Sequence, residues 1–228
     1  MSSFEIVGVV LGAFPIAISA LQGSRRGAEL LDSWHEILSR GSQAQPSRRQ
    51  RYRVALDLAS SLVQLKSTPW ITAALRKTTI EFSHHGLRAA EPVSELGSPL
   101  IACGFEPTAS LPETRSAGVV DFAAIHVLDV ILFELCFGKP IEEYESRKKL
   151  DNAGSGNFEA AAALDLLAAL EGYWDVLSEA GLEYADAVEC CLRGCRKTAS
   201  GPSWRKEMLQ NVVVPLEPCN SHLWPKPL

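Results

Sequence analysis

Residue types that common catalytic sites require are missing from long parts of this chain. No lysine precedes Lys66, no aspartate lies between Asp57 and Asp121, and the first asparagine is Asn152. A phosphoryl-transfer site needs a lysine for the phosphates and both an aspartate and an asparagine near the metal. The chain also lacks a Gly-x-Ser-x-Gly elbow and a cysteine–histidine pair with a family-specific spacing. These absences predict a protein that is not an enzyme and binds no cofactor.

The chain has no apolar run that is long enough for a convincing membrane span. The stretch Ile6–Leu21 has 16 residues and contains Pro15, whereas a span needs roughly 20 and proline kinks a helix. No basic region precedes it, as a secretory signal would require. We therefore expect a core helix, with membrane insertion as the alternative. The six cysteines are predicted to be thiols in a cytoplasmic protein, with membrane association as the alternative.

Composition favours a globular protein, and charge is distributed unevenly. Hydrophobic residues make up 46% and charged residues 21%, and the net charge of −5 predicts no general affinity for nucleic acid. Residues 1–53 carry seven arginines against four carboxylates, so they have a net charge of +3 and the remainder has −8. A dense basic run within this segment is a candidate docking surface for a protein partner or an anionic membrane. It consists of Arg48, Arg49, Arg51 and Arg53. The alternative is a solvated face, or arginines paired with the acidic C-terminal half.

Helix signals dominate the first half of the chain. Capping-box patterns at Ser2–Glu5 and Ser47–Gln50 predict two helix starts. We expect residues 22–34 to continue the first helix and a loop to end near residue 46. The second helix should bury one stripe, formed by Val54, Leu58, Leu62 and Leu65. Residues 68–118 contain five prolines and predict loops with short helices or strands.

The second half also reads as successive helices. Val119–Phe137 is apolar on every side and should be buried, with Gly138 and Pro140 ending it. Three further helices are predicted by their stripes, and prolines should leave the tail irregular. The stripes are Ala163, Leu167, Leu170, Trp174 and Leu177; Tyr184, Val188, Cys191 and Leu192; and Trp204, Met208 and Val212 after Ser203. The fold class is therefore mainly α.

Four residues near the C-terminus could supply zinc ligands. Cys191 and Cys195 can share a helix face, and Cys219 and His222 lie in the proline-rich tail. The spacing is looser than that of a standard zinc motif. The alternative, which we adopt, is that Cys191 is buried, the other thiols are incidental, and no metal is bound.

Three segments resemble parts of the protein-kinase C-lobe. Leu128–Pro140, with Glu134 and Gly138, resembles the buried central helix of that lobe. Ala55–Ser67 resembles the helix before the catalytic loop, and Tyr184–Leu192 resembles a later helix. When the opening Phe4–Leu21 is included, the chain resembles a group of uncharacterised fungal proteins more closely than it resembles protein kinases. These proteins have a HeLo-like N-terminal helix and a degenerate protein-kinase-like C-lobe.

This resemblance implies two domains and no catalysis. Residues 1–45 would be a HeLo-like helical segment with a linker. Residues 46–228 would be a C-lobe-like helical domain around the central helix at about 119–137. Thr72-Ala73-Ala74 stands where the catalytic His-Arg-Asp would lie, and Ala124 and Asp129 replace an aspartate and a glycine of the central helix. The resemblance therefore implies a pseudokinase-like protein.

Three functional interpretations remain open. The first is a scaffold or regulatory interaction protein linked to fungal self-recognition, with Ile6, Phe14 and Leu21 packing against a partner helix. The second is a membrane-associating protein that uses the same apolar segment, which flotation with anionic liposomes would detect. The third is a truncated or decayed gene product without function.

Overall fold

Helices account for most of the residues that the structure describes. A computed structural model describes residues 17–19, 29–39, 45–65, 77, 80–85, 99–102, 117–151, 158–194 and 203–221. The helices are α1 (Trp34–Ser39), α2 (Arg48–Leu65), α3 (Ala117–Phe137), α4 (Glu145–Asp151), α5 (Phe158–Glu171), α6 (Tyr173–Ala180), α7 (Leu182–Glu189), α8 (Trp204–Met208) and α9 (Val214–Ser221). Single π-helical turns, Cys190–Gly194 and Leu209–Val213, extend α7 and join α8 to α9. The predicted mainly helical class is confirmed.

Helix α2 begins at the capping box predicted from the sequence. The Ser47 backbone N–H donates to Gln50 Oε1 at 2.8 Å, and the Gln50 N–H donates to Ser47 Oγ at 3.3 Å. These bonds use two backbone donors that a helix start leaves without partners. The predicted stripe is buried, with Val54, Leu58, Leu62 and Leu65 in the core. Local sequence therefore predicted both the start and the inward side of α2.

Helix α3 is the centre of the helical packing. From Leu128 to Cys136 every residue is buried, and α3 contacts α2, α5, α6 and α7. Gly138 follows at φ +69°, a left-handed conformation that glycine adopts without steric cost. Its N–H donates to the Glu134 carbonyl at 2.7 Å. The prediction of a buried helix that ends at Gly138 and Pro140 is confirmed for the described part of α3.

A four-stranded sheet packs beside these helices; two of its strands lie within residues 68–118, where short helices or strands were expected, and the other two were not predicted. Its strands are β1 (Ala17–Ser19), β2 (Glu29–Ser33), β3 (Ile80–His85) and β4 (Pro99–Ala102), in the order β1-β4-β3-β2. β1 is parallel to β4, and the other pairs are antiparallel. The helix predicted over residues 22–34 is therefore wrong at β2, and the helix predicted over Ile6–Leu21 is wrong at β1. Each strand is short, and its hydrogen bonds come from distant parts of the chain.

The helix predicted over residues 160–179 is divided at Gly172. A Cβ on Gly172 would lie 2.5 Å from Cε2 of Phe133, so this backbone passes directly over an α3 side chain. The core-facing residues beyond this contact are Ala168, Ala169 and Val176. The predicted stripe is correct only in part, because Leu170 and Leu177 pack against the core whereas Ala163, Leu167 and Trp174 are exposed. The fully buried residues of α5 and α6 are the smaller ones, and these two leucines lie partly buried beside them.

Two predictions near the C-terminus also need correction. Trp204, Met208 and Val212 are buried as predicted, but Ser203 makes no side-chain capping bond. The tail predicted to be irregular forms helix α9 as far as Ser221, with Pro218 inside it. Pro215 closely follows the π-helical turn and Pro218 lies three residues later, so this helical run tolerates both prolines.

Candidate interaction surface

A buried carboxylate on α3 joins four segments of the chain. Glu134 is 1% exposed, and its Oε2 accepts the Trp34 indole N–H at 2.9 Å. Its Oε1 accepts Lys77 Nζ at 2.8 Å and the Ile141 backbone N–H at 3.0 Å. Lys77 also donates to Glu142 at 2.8 Å. All of these donors hold one carboxylate, so the arrangement is a structural cross-link.

The electrostatics of this cross-link follow from burial and charge. Burial raises the pKa of Glu134, and Lys77 offsets only part of that effect. Burial alone would lower the pKa of Lys77, but the carboxylates of Glu134 and Glu142 outweigh it and raise this pKa. Glu134 and Lys77 are therefore held in direct contact with each other and with neighbouring residues. In the sequence, Glu134 was recognisable only as part of the kinase resemblance, and its hydrogen-bond partners were not predicted.

The predicted basic run on α2 is largely occupied by contacts within the protein. Arg48 donates to Tyr52 Oη at 3.0 Å and to the backbone carbonyl of Glu179, and its guanidinium lies 3.7 Å from the Glu179 carboxylate. Arg51 reaches the backbone of Gly138. Arg53 pairs with Asp57 at 3.8 Å, and Arg49 also has an interaction. Among these contacts, the pairing of Arg48 with Glu179 matches the alternative in which the arginines pair with the acidic C-terminal half. The role of the basic run in docking stays a prediction.

The other predicted sites lie partly or wholly outside the described residues. Ile6, Phe14 and Leu21 are outside them, as are Cys195 and His222. Cys191 is buried, and Cys219 Sγ lies 3.3 Å from the Pro215 carbonyl. Among the described residues, no group of three or more metal-ligating side chains occurs. None of the described helices combines the length and apolarity that crossing a membrane requires.

Three large apolar side chains on α5, α6 and the start of α7 are exposed to solvent. Trp174 is 71% exposed, Leu182 is 56% exposed and Leu167 is 47% exposed. On α6 the exposed residues are Trp174, Asp175, Ser178 and Glu179, and the opposite side carries buried Val176. Trp174 keeps its ring near Tyr173, with 5.4 Å between centroids. A large aromatic ring is therefore presented to solvent by a helix whose other side is in the core.

The same helices carry a concentration of negative charge. Residues 158–194 contain eight carboxylates and one arginine, a net charge of −7, whereas the remaining residues together have a net charge of +2. The carboxylates are Glu159, Asp165, Glu171, Asp175, Glu179, Glu183, Asp186 and Glu189. Three of them have ion pairs with described residues: Asp165 with Arg147, Glu179 with Arg48, and Glu189 with Arg193.

Two exposed carboxylates of these helices have no such pairs. Glu171 is the last residue of α5 and Glu183 lies in the first turn of α7, and neither has an ion pair with any residue in the described part of the chain. Asp175, which follows Trp174 in the chain, accepts a 3.4 Å bond from the Tyr144 hydroxyl. We call α5–α7, with Leu167, Trp174, Leu182, Glu171, Asp175 and Glu183, the acidic face. The acidic face thus combines one exposed aromatic ring with exposed leucines and carboxylates.

These features define a mainly helical protein built around a buried central helix, with an acidic face on one side. A family model described as a domain of unknown function (DUF7580) matches residues 19–219. The chain therefore belongs to the DUF7580 family, and the match extends across the domain boundary predicted at residues 45–46. No curated protein and no solved structure matches the chain significantly.

Proposed function

We propose that this protein is a non-catalytic scaffold or regulatory interaction protein. One observation carries the proposal: Trp174 and Leu167, two members of an apolar stripe that was predicted to join the core, are exposed to solvent. Exposed large apolar side chains amid polar residues are typical of protein-binding sites. Tryptophan is enriched among residues that dominate binding energy. The acidic face is therefore the proposed docking surface.

The arrangement of ionisable groups supports a non-catalytic role. Lys77 and Glu134 bind each other, Arg147 binds Asp165 at 2.6 Å, and Arg48 binds Glu179. Each of these pairs joins separate parts of the fold. A catalytic pair would instead leave one group within reach of a substrate. The positions that match kinase catalytic residues hold Thr72, Ala73 and Ala74 in the sequence.

We extend the proposal to a kinase C-lobe-like arrangement and a place in fungal self-recognition, which rest on the sequence resemblance. Its structural support is α3, a buried helix with Glu134, followed by left-handed Gly138 and Pro140. An experimentally determined structure with α3 at the edge of the helices would contradict the C-lobe part. Purified full-length protein with magnesium and ATP is expected to transfer no phosphate above the buffer rate.

The interaction function is tested by quantitative affinity capture of the full chain from its native extract. We expect at least one protein to be retained at near-stoichiometric amount after a high-stringency wash. Trp174→Ser removes the exposed ring. Leu209→Ser is its matched control, because Leu209 is 47% exposed but lies outside the acidic face. A chain that retains no protein would contradict the proposal. A partner whose capture does not depend on Trp174 would keep the function and remove the acidic face from it.

Liposome flotation addresses the membrane alternative with the same proteins. Vesicles with roughly 30% anionic lipid attract basic segments and repel acidic ones. We expect the full chain to stay at the bottom of the gradient. Flotation that is lost when Ile6 and Phe14 are changed to serine would favour the membrane-associating alternative.

A further inference from the structure

The acidic face has the charge and shape to bind one kind of partner. We propose that α5–α7 bind a cationic amphipathic helix of a partner protein, with the Trp174 ring against the apolar side of that helix. Lysines or arginines of the partner helix would face Glu171, Asp175 and Glu183. This proposal rests on the interaction function proposed above and specifies the chemistry of the partner.

Charge complementarity identifies the partner as cationic. A net charge of −7 is concentrated in residues 158–194, while the rest of the chain has +2. Like charges on neighbouring helices repel each other, so this concentration destabilises the free protein slightly and is relieved by a cationic ligand. The protein shows the same chemistry internally, because Arg48 of α2 binds Glu179 at the end of α6.

The apolar residues identify the partner as amphipathic. Charge alone would attract any cation, but Trp174 and Leu182 expose more than half of their surface. Burying such side chains removes apolar surface from water and therefore favours binding. A helix with apolar residues at positions i, i+3, i+4 and i+7 presents a matching stripe between basic residues. An extended or purely basic segment would cover the carboxylates and leave Trp174 exposed.

The position of Trp174 on the exposed side of α6 also favours a helical partner segment. On α6, Trp174 and Ser178 are four residues apart and both exposed, while Val176 faces the core. The Ser178 hydroxyl donates to the Trp174 carbonyl at 2.9 Å, so this exposed side is ordered by its own hydrogen bond. A partner helix lying along this side would contact α6 as one helix contacts another in a bundle.

Three synthetic 18-residue peptides test the proposal on the full chain. The first has leucines on one helical side and lysines on the other; the second replaces every lysine by glutamate; the third has the first composition in scrambled order. Isothermal titration calorimetry at 50 and 150 mM NaCl measures binding. We expect only the first peptide to bind strongly, with weaker binding at the higher salt concentration.

Variants of the protein separate the apolar from the charged contribution. Trp174→Ser is expected to weaken binding of the first peptide roughly tenfold or more. The double change Glu171→Lys and Asp175→Lys should weaken it and reduce its salt dependence. Leu209→Ser, with a comparable exposed leucine elsewhere, should leave binding unchanged. Circular dichroism of each variant verifies that the fold is retained.

Specific outcomes would overturn the proposal. Equal binding of the scrambled and amphipathic lysine peptides would show an electrostatic attraction without a helix site. Equal binding to wild type and Trp174→Ser would remove Trp174 from the site. Concentration-dependent dimerisation in light scattering that Trp174→Ser abolishes would assign the face to a second copy of this chain. None of these results affects the capture experiment, so failure here is distinguishable from failure of the interaction function.

Discussion

At the residue scale, Glu134 shows how one buried charge can organise distant segments. Its carboxylate accepts hydrogen bonds from Trp34, Lys77 and Ile141. These residues lie before α2, between α2 and α3, and after α3. Burying a charge is unfavourable unless hydrogen bonds and an opposite charge compensate. Four contacts on and around one carboxylate supply that compensation here. Removing the carboxylate would leave Lys77 and the indole N–H of Trp34 without their buried acceptor.

The first prediction concerns this cross-link. Glu134→Ala should lower the free energy of unfolding by about 3–5 kcal/mol, because it breaks a buried pair and strands its partners. Glu142→Gln is the control, since Glu142 is 47% exposed and binds the same lysine; it should cost under about 1 kcal/mol. Urea denaturation of both variants measures the difference. Equal effects would contradict the structural role of Glu134.

The second prediction concerns Asp57 on α2. Burial raises its pKa to about 6, although Arg53 lowers it in part, whereas an unfolded aspartate titrates near ~3.9. Between these values the folded state binds more protons than the unfolded state. The stabilising contribution of protonated Asp57 is therefore present below about pH 4 and lost as pH rises through about 6.

Asp57→Asn should remove this pH dependence. We expect the variant to gain stability relative to wild type when pH rises from 4 to 7, because it buries no charge. The midpoint of urea denaturation at several pH values in this range gives the difference. A difference between the two proteins that does not change with pH would show that Asp57 titrates normally.

At the scale of elements, the approach of α5 and α6 to α3 depends on one glycine. A Cβ at Gly172 would lie 2.5 Å from Cε2 and 2.7 Å from Cζ of Phe133. Phe133 cannot move easily, because its ring packs against Phe137 and Tyr144 at centroid distances of 4.9 and 4.8 Å. This contact places Ala168 and Val176 inward and leaves Trp174 outward. The orientation of the acidic face therefore depends on packing at Gly172.

The third prediction follows from this close approach. Gly172→Ala should destabilise the protein by about 1–3 kcal/mol, since overpacking displaces neighbouring side chains. Adding Phe133→Leu should recover part of that loss, as expected for residues in direct contact. Thermal denaturation of the two single variants and the double variant completes the cycle. Additive effects would mean that Gly172 and Phe133 do not constrain each other.

At the scale of the whole molecule, the N-terminal segment takes part in the core. Trp34, Ile37 and Leu38 are buried. The ring centroids of Trp34 and Phe82, a residue of β3, are 5.8 Å apart. β2 pairs with β3 from Ser33–Glu81 to Glu29–His85. Residues on both sides of the predicted boundary at 45–46 thus share one sheet and one cluster of buried side chains. A truncated chain of residues 46–228 tests whether the rest of the protein folds without this segment.

The fourth prediction compares the full chain with residues 46–228. We expect the truncated chain to lose its cooperative thermal transition or to melt at a markedly lower temperature. Removing Trp34 and β2 leaves Glu134 short of one donor and β3 without one of its neighbours. Circular dichroism of both proteins measures this. Similar cooperative melting would show that the front segment is dispensable, which would favour the membrane alternative for it.

Local sequence determined the features that depend on neighbouring residues. The capping box at Ser47 and Gln50 and the helix stop at Gly138 use groups within four residues of each other. The buried state of α3 was also predictable, because an apolar surface on every side of a helix leaves no side for solvent. For these features, no knowledge of the remaining chain was needed.

Only the tertiary structure decided features that join distant residues. The strands are too short for a periodic signal, and β2 meets its partner about 50 residues later. Trp34 and Glu134 are 100 residues apart, and Lys77 and Glu134 are 57 apart. Of the apolar stripe predicted for α5 and α6, Leu170 and Leu177 pack against the core, yet Leu167 and Trp174 meet solvent because the helix is divided where Gly172 fits against Phe133. Helical spacing establishes which residues share a side, whereas packing against neighbours decides which side meets solvent.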